Sequence, residues 1–321
     1  MSIVEKDNVT LFPDAALAAL TRLEQILAER GLDARIDGAL RLVPGKRAIF
    51  HGELAGQPAV FRLPLNDTQR KNFAQEWAEL TRARGHMATG AFRVADPLFF
   101  DPDTGLFALS HIEGTPLLTH LWSLDPDARA PHIAGAADWL HAYMAPTIET
   151  RGINRRPWRN WAAAAVEKQP HPALADLEKR ILQKMHKLSH RLGDPDWRVA
   201  IPHGDFHLNN LILGPDGTLT GIDTGGSNFA PIYKDIARAL THMARRGMLP
   251  SGSRKFGVDA AAYDTFATAF VLTEAEANAF LPYLITFETL IKVEHPRIGE
   301  DRVAHALAME EALFQDLRQI T

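Results

Sequence analysis

Residues 203–226 read HGDFHLNNLILGPDGTLTGIDTGG. Acids, histidines and adjacent asparagines crowd a stretch otherwise made of aliphatic runs and glycines. Pro215 suits the second position of a type I turn and Gly217 the last, so the chain is expected to reverse between two short strands. If residues 216–217 form a two-residue loop, Asn210 faces Asp223 directly. If Gly217 makes a bulge instead, the register slips by one and Asp223 sits just past that partner. In either register the oxygen-bearing side chains of Asn210 and Asp223 meet at the open end of the hairpin. Asp205 lies in the loop leading into that end. Hard oxygen donors of this kind suit magnesium, which usually arrives with substrate phosphates.

Outward from the hairpin, residues 14–30 carry Leu17, Leu20, Leu23 and Leu27 at helical spacing between Pro13 and Gly31. Short strand-like pieces follow: RLV, RAIFHGEL and AVFRL, separated by turn residues. A helix is predicted over residues 69–84, with Phe73, Trp77 and Leu80 on its apolar side. ADPLFF and GLFALSHI are two further strands, and beyond residue 115 the chain turns mostly helical. The expected fold class is α+β: a β-rich N-terminal lobe with one main helix over residues 1–112, and a mostly helical C-terminal lobe over 113–321.

Composition narrows the partners. A net charge of −4 argues against nucleic acid, which selects basic surfaces. The absence of cysteine rules out thiolate metal sites and fits a reducing cytoplasm. No apolar run approaches the roughly 20 residues that cross a bilayer, so no membrane partner is expected. Composition leaves monomer and homodimer both open.

His203, Asp205 and Asn210 fit the spacing H-x-D-x-x-x-x-N of a kinase catalytic loop, and Asp223-Thr224-Gly225 fits D-x-G. HGDFHLNN followed by a hairpin and GID resembles the aminoglycoside phosphotransferase and choline-kinase-like family of the protein-kinase-like two-lobe fold. YKDIARAL, after it, resembles that family's step into the next helix. The resemblance implies an ATP- and Mg2+-dependent kinase acting on a hydroxyl of a small molecule such as a sugar or amino alcohol. It implies that Asp205 orients the attacking hydroxyl, that Asn210 and Asp223 hold metal ions, and that His203, His207 and Asp235 support the loop.

In the first half, AVFRL matches the strand that usually carries a phosphate-binding lysine, and here places Arg62. Its expected partner is Glu76, with Glu79 as the alternative. Lys46 and Arg47, in the turn VPGKR, either add charge near phosphates or are solvated. Ser110, His111 and Ile112 match the connection whose backbone binds adenine. RGINRRPWRNW, with Arg155, Arg156 and Trp158, stands where the family builds its acceptor pocket, and reads equally as a solvated face. Glu288, Glu294 and His295 are further pocket candidates. Two rival readings stand beside the kinase. One is a degenerate kinase fold that binds nucleotide without turnover. The other is a metallohydrolase using His203, Asp205 and His207, aligned on one face if the segment is a strand.

Overall fold

The computed structural model describes residues 12–225 and 228–321. They form two compact units, residues 12–116 with 209–225, and residues 117–208 with 228–321.

In the first unit, α1 (Pro13–Glu29) begins at the proline anticipated for it. It buries Ala19, Leu23, Ile26 and Leu27, whereas Leu17 is 64% exposed. The predicted leucine stripe is therefore rotated: the buried positions follow the 19, 23, 26, 27 spacing that keeps one helical face on the sheet. That sheet is antiparallel and five-stranded, in the order β1 (Ala34–Val43), β2 (Arg47–Leu54), β3 (Gln57–Pro64), β6 (Phe107–Ser110), β5 (Pro97–Phe100). Phe50, Phe61, Leu63 and Ala108 point into the core shared with α1. Alternation then sends Arg62 to the opposite face, where α2 (Asp67–Arg84) lies. Asn66 caps that helix, its side chain accepting from the N–H of Gln69 at 2.8 Å.

Close approach of β1 to β2 depends on Gly52. A Cβ there would stand 1.9 Å from the carbonyl oxygen of Arg35. Gly52→Ala is expected to destabilise the protein by about 2 kcal/mol or more, because backbone must move to admit the methyl. Chemical denaturation measures this, and an unchanged midpoint would refute it.

A second sheet joins β4 (Phe92–Val94), β11 (Leu219–Gly221), β10 (Leu211–Leu213) and β7 (Thr115–Pro116) in that order, with β4 parallel to β11. The hairpin therefore packs with strands that precede residue 117.

The second unit is helical: α3 (Leu117–Ser123), α4 (Ala130–Met144), α5 (Arg156–Val166), α6 (Pro172–Arg191), α7 (Tyr233–Ala244), α8 (Ala260–Ala269), α9 (Leu281–Leu290) and α10 (Glu300–Ile320). Every residue of α9 is buried, so it forms the axis of this unit. A small sheet of β8 (Glu149–Gly152), β9 (Asp196–Ala200) and β12 (Ala230–Pro231) and a ribbon of β13 (Arg254–Lys255) with β14 (Val258–Asp259) complete it. No described helix is long and apolar enough to cross a membrane.

Candidate active site

The hairpin adopts the bulged alternative. Leu211 pairs with Gly221 and Leu213 with Leu219, while the N–H of Gly217 reaches the carbonyl of Gly214 at 3.0 Å. Gly217 takes φ +81°, the left-handed value this turn needs. The N–H of Ile222 donates to the carbonyl of Asn210 at 3.0 Å, so Asp223 falls just past Asn210. Asp223 itself has φ +59°. A non-glycine residue there stores strain that the surroundings must hold, a feature concentrated at functional sites.

Arg62 supplies that hold. Its Nη1 lies 2.6 Å from Oδ1 of Asp223, and its Nη2 is 3.2 Å from Oε2 of Glu76 on α2. The guanidinium packs against the rings of Phe73 and Phe107, at 5.2 and 5.3 Å from their centroids. Burial opposes its charge, but Asp223 and Glu76 outweigh burial and hold its pKa above the ordinary arginine value. Burial pushes the Glu76 carboxyl up, and Arg62 pulls the other way. Glu79, the alternative partner, pairs instead with Arg82 one turn along α2, at 2.6 Å.

Sheet register explains what else gathers here. Ile49 sits opposite both Arg41 and Arg62, and Arg47 shares the face of Ile49 two residues away. Three arginines thus line one face of β1–β3. Burial first, then Arg62 and Arg41, lowers the pKa of Arg47, while Asp223 and Glu76 raise it. Lys46 is exposed in the turn, so of the two candidates in VPGKR it is Arg47 that joins the cluster. Arg41 has no motif and becomes visible only through cross-strand pairing.

Ser110 ends β6, its Oγ accepting from the N–H of Asp96 at 2.8 Å. The N–H of His111 donates to the carbonyl of Pro58 at 2.9 Å. Ser110, His111 and Ile112, with Arg93, Asp96 and Asp216, line a cavity of about 360 Å³, which Arg62 and Asp223 do not line.

In the second unit, the segment around Asp205 is an irregular loop with Gly204 at φ +89°. The one-face alternation on which the metallohydrolase reading depends is therefore absent. Among the described residues, no three His, Asp or Glu side chains are grouped to hold a metal. His203 is fully buried, packed against Trp139, Tyr143 and Phe206. Asp235, buried in the first turn of α7, accepts the N–H of Gly204 at 3.2 Å. His207 places Nε2 3.8 Å from Oδ2 of Asp205.

One residue the motifs do not reveal ties the loop down. Arg238, on the same face of α7 as Asp235, donates from Nη1 to Oδ1 of Asp205 at 2.8 Å and to the carbonyl of Gly204 at 2.9 Å. Its Nε donates to Glu288 of α9 at 3.0 Å. Burial works against the Arg238 charge, yet Glu288 and Asp205 raise its pKa.

The acceptor candidates divide. Arg155 is buried and donates to the carbonyls of Ser189 and Gly193, at the end of α6. Trp158 meets Trp197, Tyr283 and Phe287. Both Arg155 and Trp158 pack on Trp197, whereas Arg156 faces solvent. Glu294 is buried against Arg245 at 2.7 Å, and His295 is exposed.

A β-rich unit with a basic sheet face, followed by a helical unit carrying the His203–Asp205 loop, is the protein-kinase-like fold. A profile of the phosphotransferase enzyme family matches residues 45–268, and the chain belongs to that family. It is an enzyme that transfers a phosphoryl group. The fold is similar to that of the aminoglycoside phosphotransferase APH(4)-Ia, with TM-score 0.57 and 14% identity over 92% of this chain and 99% of that one. It is also similar to the choline kinase LicA from Streptococcus pneumoniae, with TM-score 0.55 and 16% identity over 91% and 99%. A third likeness is APH(2")-IIIa, solved with GDP and kanamycin, at TM-score 0.58 and 15% identity over 94% and 99%. No curated protein matches in sequence.

Proposed function

We propose that the protein is an ATP- and Mg2+-dependent kinase that phosphorylates a hydroxyl of a small molecule. The observation that carries this reading is the buried Arg62 forked between Glu76 and Asp223, on a sheet face shared with Arg41 and Arg47. Phosphoryl transfer asks for positioning and charge neutralisation more than covalent chemistry, and arginines gathered on one face suit a triphosphate. That solved relatives of this fold hold ADP or GDP supports a nucleotide as donor.

The carboxylate of Asp223 and the amide oxygen of Asn210 fit Mg2+, a hard cation that prefers oxygen. Asp223 is 47% exposed despite its bond to Arg62, so its carboxylate remains accessible. When bound, the metal would neutralise phosphate charge. Arg62 binds phosphate oxygens while anchored by Glu76, and residues 110–112 offer backbone groups to the base. Asp205 orients the acceptor hydroxyl and takes its proton; Arg238, Asp235 and His203 hold the loop that carries it. Residues 1–112 then act mainly on the nucleotide, with Asn210 and Asp223 added by the hairpin, and residues 113–321 on the acceptor.

The direct test is acceptor-dependent ADP release across sugars, amino alcohols, nucleosides and aminoglycosides; no turnover with any of them, together with no nucleotide binding, would reject the proposal. A second result concerns the unusual arginine. Arg62→Lys is expected to bind Mg2+-nucleotide as tightly as the parent or more so, because an ammonium keeps the charge while releasing Asp223 from the fork. Isothermal titration measures this, and complete loss of binding would show that the site is built around a guanidinium.

A further inference from the structure

Beyond Arg238, α7 and the turns that follow it carry a second set of cations. His242 stacks on His207, ring centroids 4.4 Å apart and planes 11° from parallel, and His207 in turn neighbours Asp205. One turn later, Arg246 donates to the carbonyl of His242 at 3.1 Å. Lys292 follows the end of α9, and Arg302 lies in the first turn of α10. Burial first, then repulsion from Arg302, brings the pKa of Arg246 down to about 10. Burial likewise lowers Lys292 and Arg302; Glu294 pulls each partway back, and Arg245 adds repulsion. Their shared carboxylate, Glu294, is engaged by Arg245 at 2.7 Å. Among the described residues no ion pair neutralises Arg246, Lys292 or Arg302. Nδ1 of His242 and Nε of Arg302 are buried without a hydrogen-bond partner.

A solvated basic face does not look like this. Charges on such a face stay apart and hydrated, whereas here Arg246 and Arg302 are half-buried beside the stacked rings of His242 and His207, and Lys292 is exposed to solvent. Mutual repulsion costs stability, and a fold tolerates it where a ligand supplies the missing charge. The stacked rings of His242 and His207 connect the end of α7, where Arg246 lies, to Asp205.

We propose that the phosphate acceptor carries an oxyanion of its own, a carboxylate or a phosphate ester, and that Arg246, Lys292 and Arg302 bind it while the hydroxyl faces Asp205. The inference rests on the reading of Asp205 as the residue that receives the hydroxyl. It excludes polycationic acceptors, which this cluster repels.

Matched acceptor pairs test it, with ADP release as the readout: glycerol against glycerate, and free sugars against sugar acids and sugar phosphates. Turnover is expected with the anionic member of a pair and not with the neutral one, and the comparison of sugar acids with sugar phosphates separates carboxylate from phosphate. Arg246→Gln should raise the acceptor KM roughly tenfold or more, the worth of a charge-assisted contact, without moving the nucleotide KM. Its melting temperature should hold or rise, since a repelling charge is removed. Phosphorylation of neutral or cationic acceptors with the same KM in parent and variant overturns the inference and leaves the kinase reading standing. Should no acceptor turn over, inorganic phosphate titrated in the presence of Mg2+-ADP decides. A thermal shift in the parent that Arg246→Gln/Arg302→Gln lacks supports the site, and an equal response in both proteins, or none in either, overturns it.

Discussion

Asp205→Asn is expected to fold and bind nucleotide as the parent does while its kcat falls by about 10² to 10⁴, the usual worth of a positioned general base. The fold should survive because the loop does not depend on this carboxylate alone. Arg238 keeps its bonds to the carbonyl of Gly204 and to Glu288, Asp235 keeps the N–H of Gly204, and His203 stays enclosed by Trp139, Tyr143 and Phe206. Asparagine also retains an oxygen that can accept from Arg238. What it lacks is the capacity to take a proton from the acceptor hydroxyl. Steady-state kinetics beside a thermal melt separate the two effects: turnover should collapse while the melting temperature moves little. Near-parental kcat would remove Asp205 from the mechanism, and a large drop in melting temperature would make it a structural residue.

The chain reversal and the face of the sheet that Arg62 occupies are legible in the sequence. Alternating apolar residues mark β2 and β3, and the position of Arg62 between Phe61 and Leu63 already sends it away from the core. Pro215 and Gly217 mark the chain reversal, although local turn chemistry left two registers open, and the hydrogen bond from Gly217 to Gly214 selects the bulged one. Other parts depend on contacts between segments far apart in the chain. β4 has three residues and owes its extended form to parallel pairing with β11, so no local pattern announces it. Arg41 enters the basic face only through its register with β2, along a strand whose pairing shifts near Gly38. Arg238 was within reach of sequence reasoning, three positions after Asp235 on a helix, but its bond to Asp205 needs the loop geometry set by Gly204. In α1, leucine spacing placed Leu20, Leu23 and Leu27 on the core side but also Leu17, which is exposed, because Ala19 and Ile26 complete the buried stripe.

Asp223 carries the second large effect. In the parent, Mg2+-ADP at a hundred times its Kd is expected to stabilise the protein by about 2.7 kcal/mol, a rise of several degrees in melting temperature for a chain of this size. Asp223→Ala should lose the magnesium-dependent part of that rise entirely. The same substitution lowers the starting temperature, for two reasons visible in the fold. It strips Arg62 of its 2.6 Å partner and leaves a buried guanidinium with Glu76 alone, and breaking a buried pair costs more than the pair contributes. It also puts alanine at φ +59°, where a Cβ is disfavoured and asparagine or aspartate is tolerated. Asp223→Asn separates these contributions from metal binding, since it keeps the backbone preference and the side-chain shape and removes only the charge. Its starting temperature should fall less than that of the alanine variant, while its magnesium-dependent shift should be equally absent. A full shift in Asp223→Asn, matched by an unchanged response of the parent when EDTA replaces magnesium, would mean that this carboxylate serves Arg62 and holds no metal.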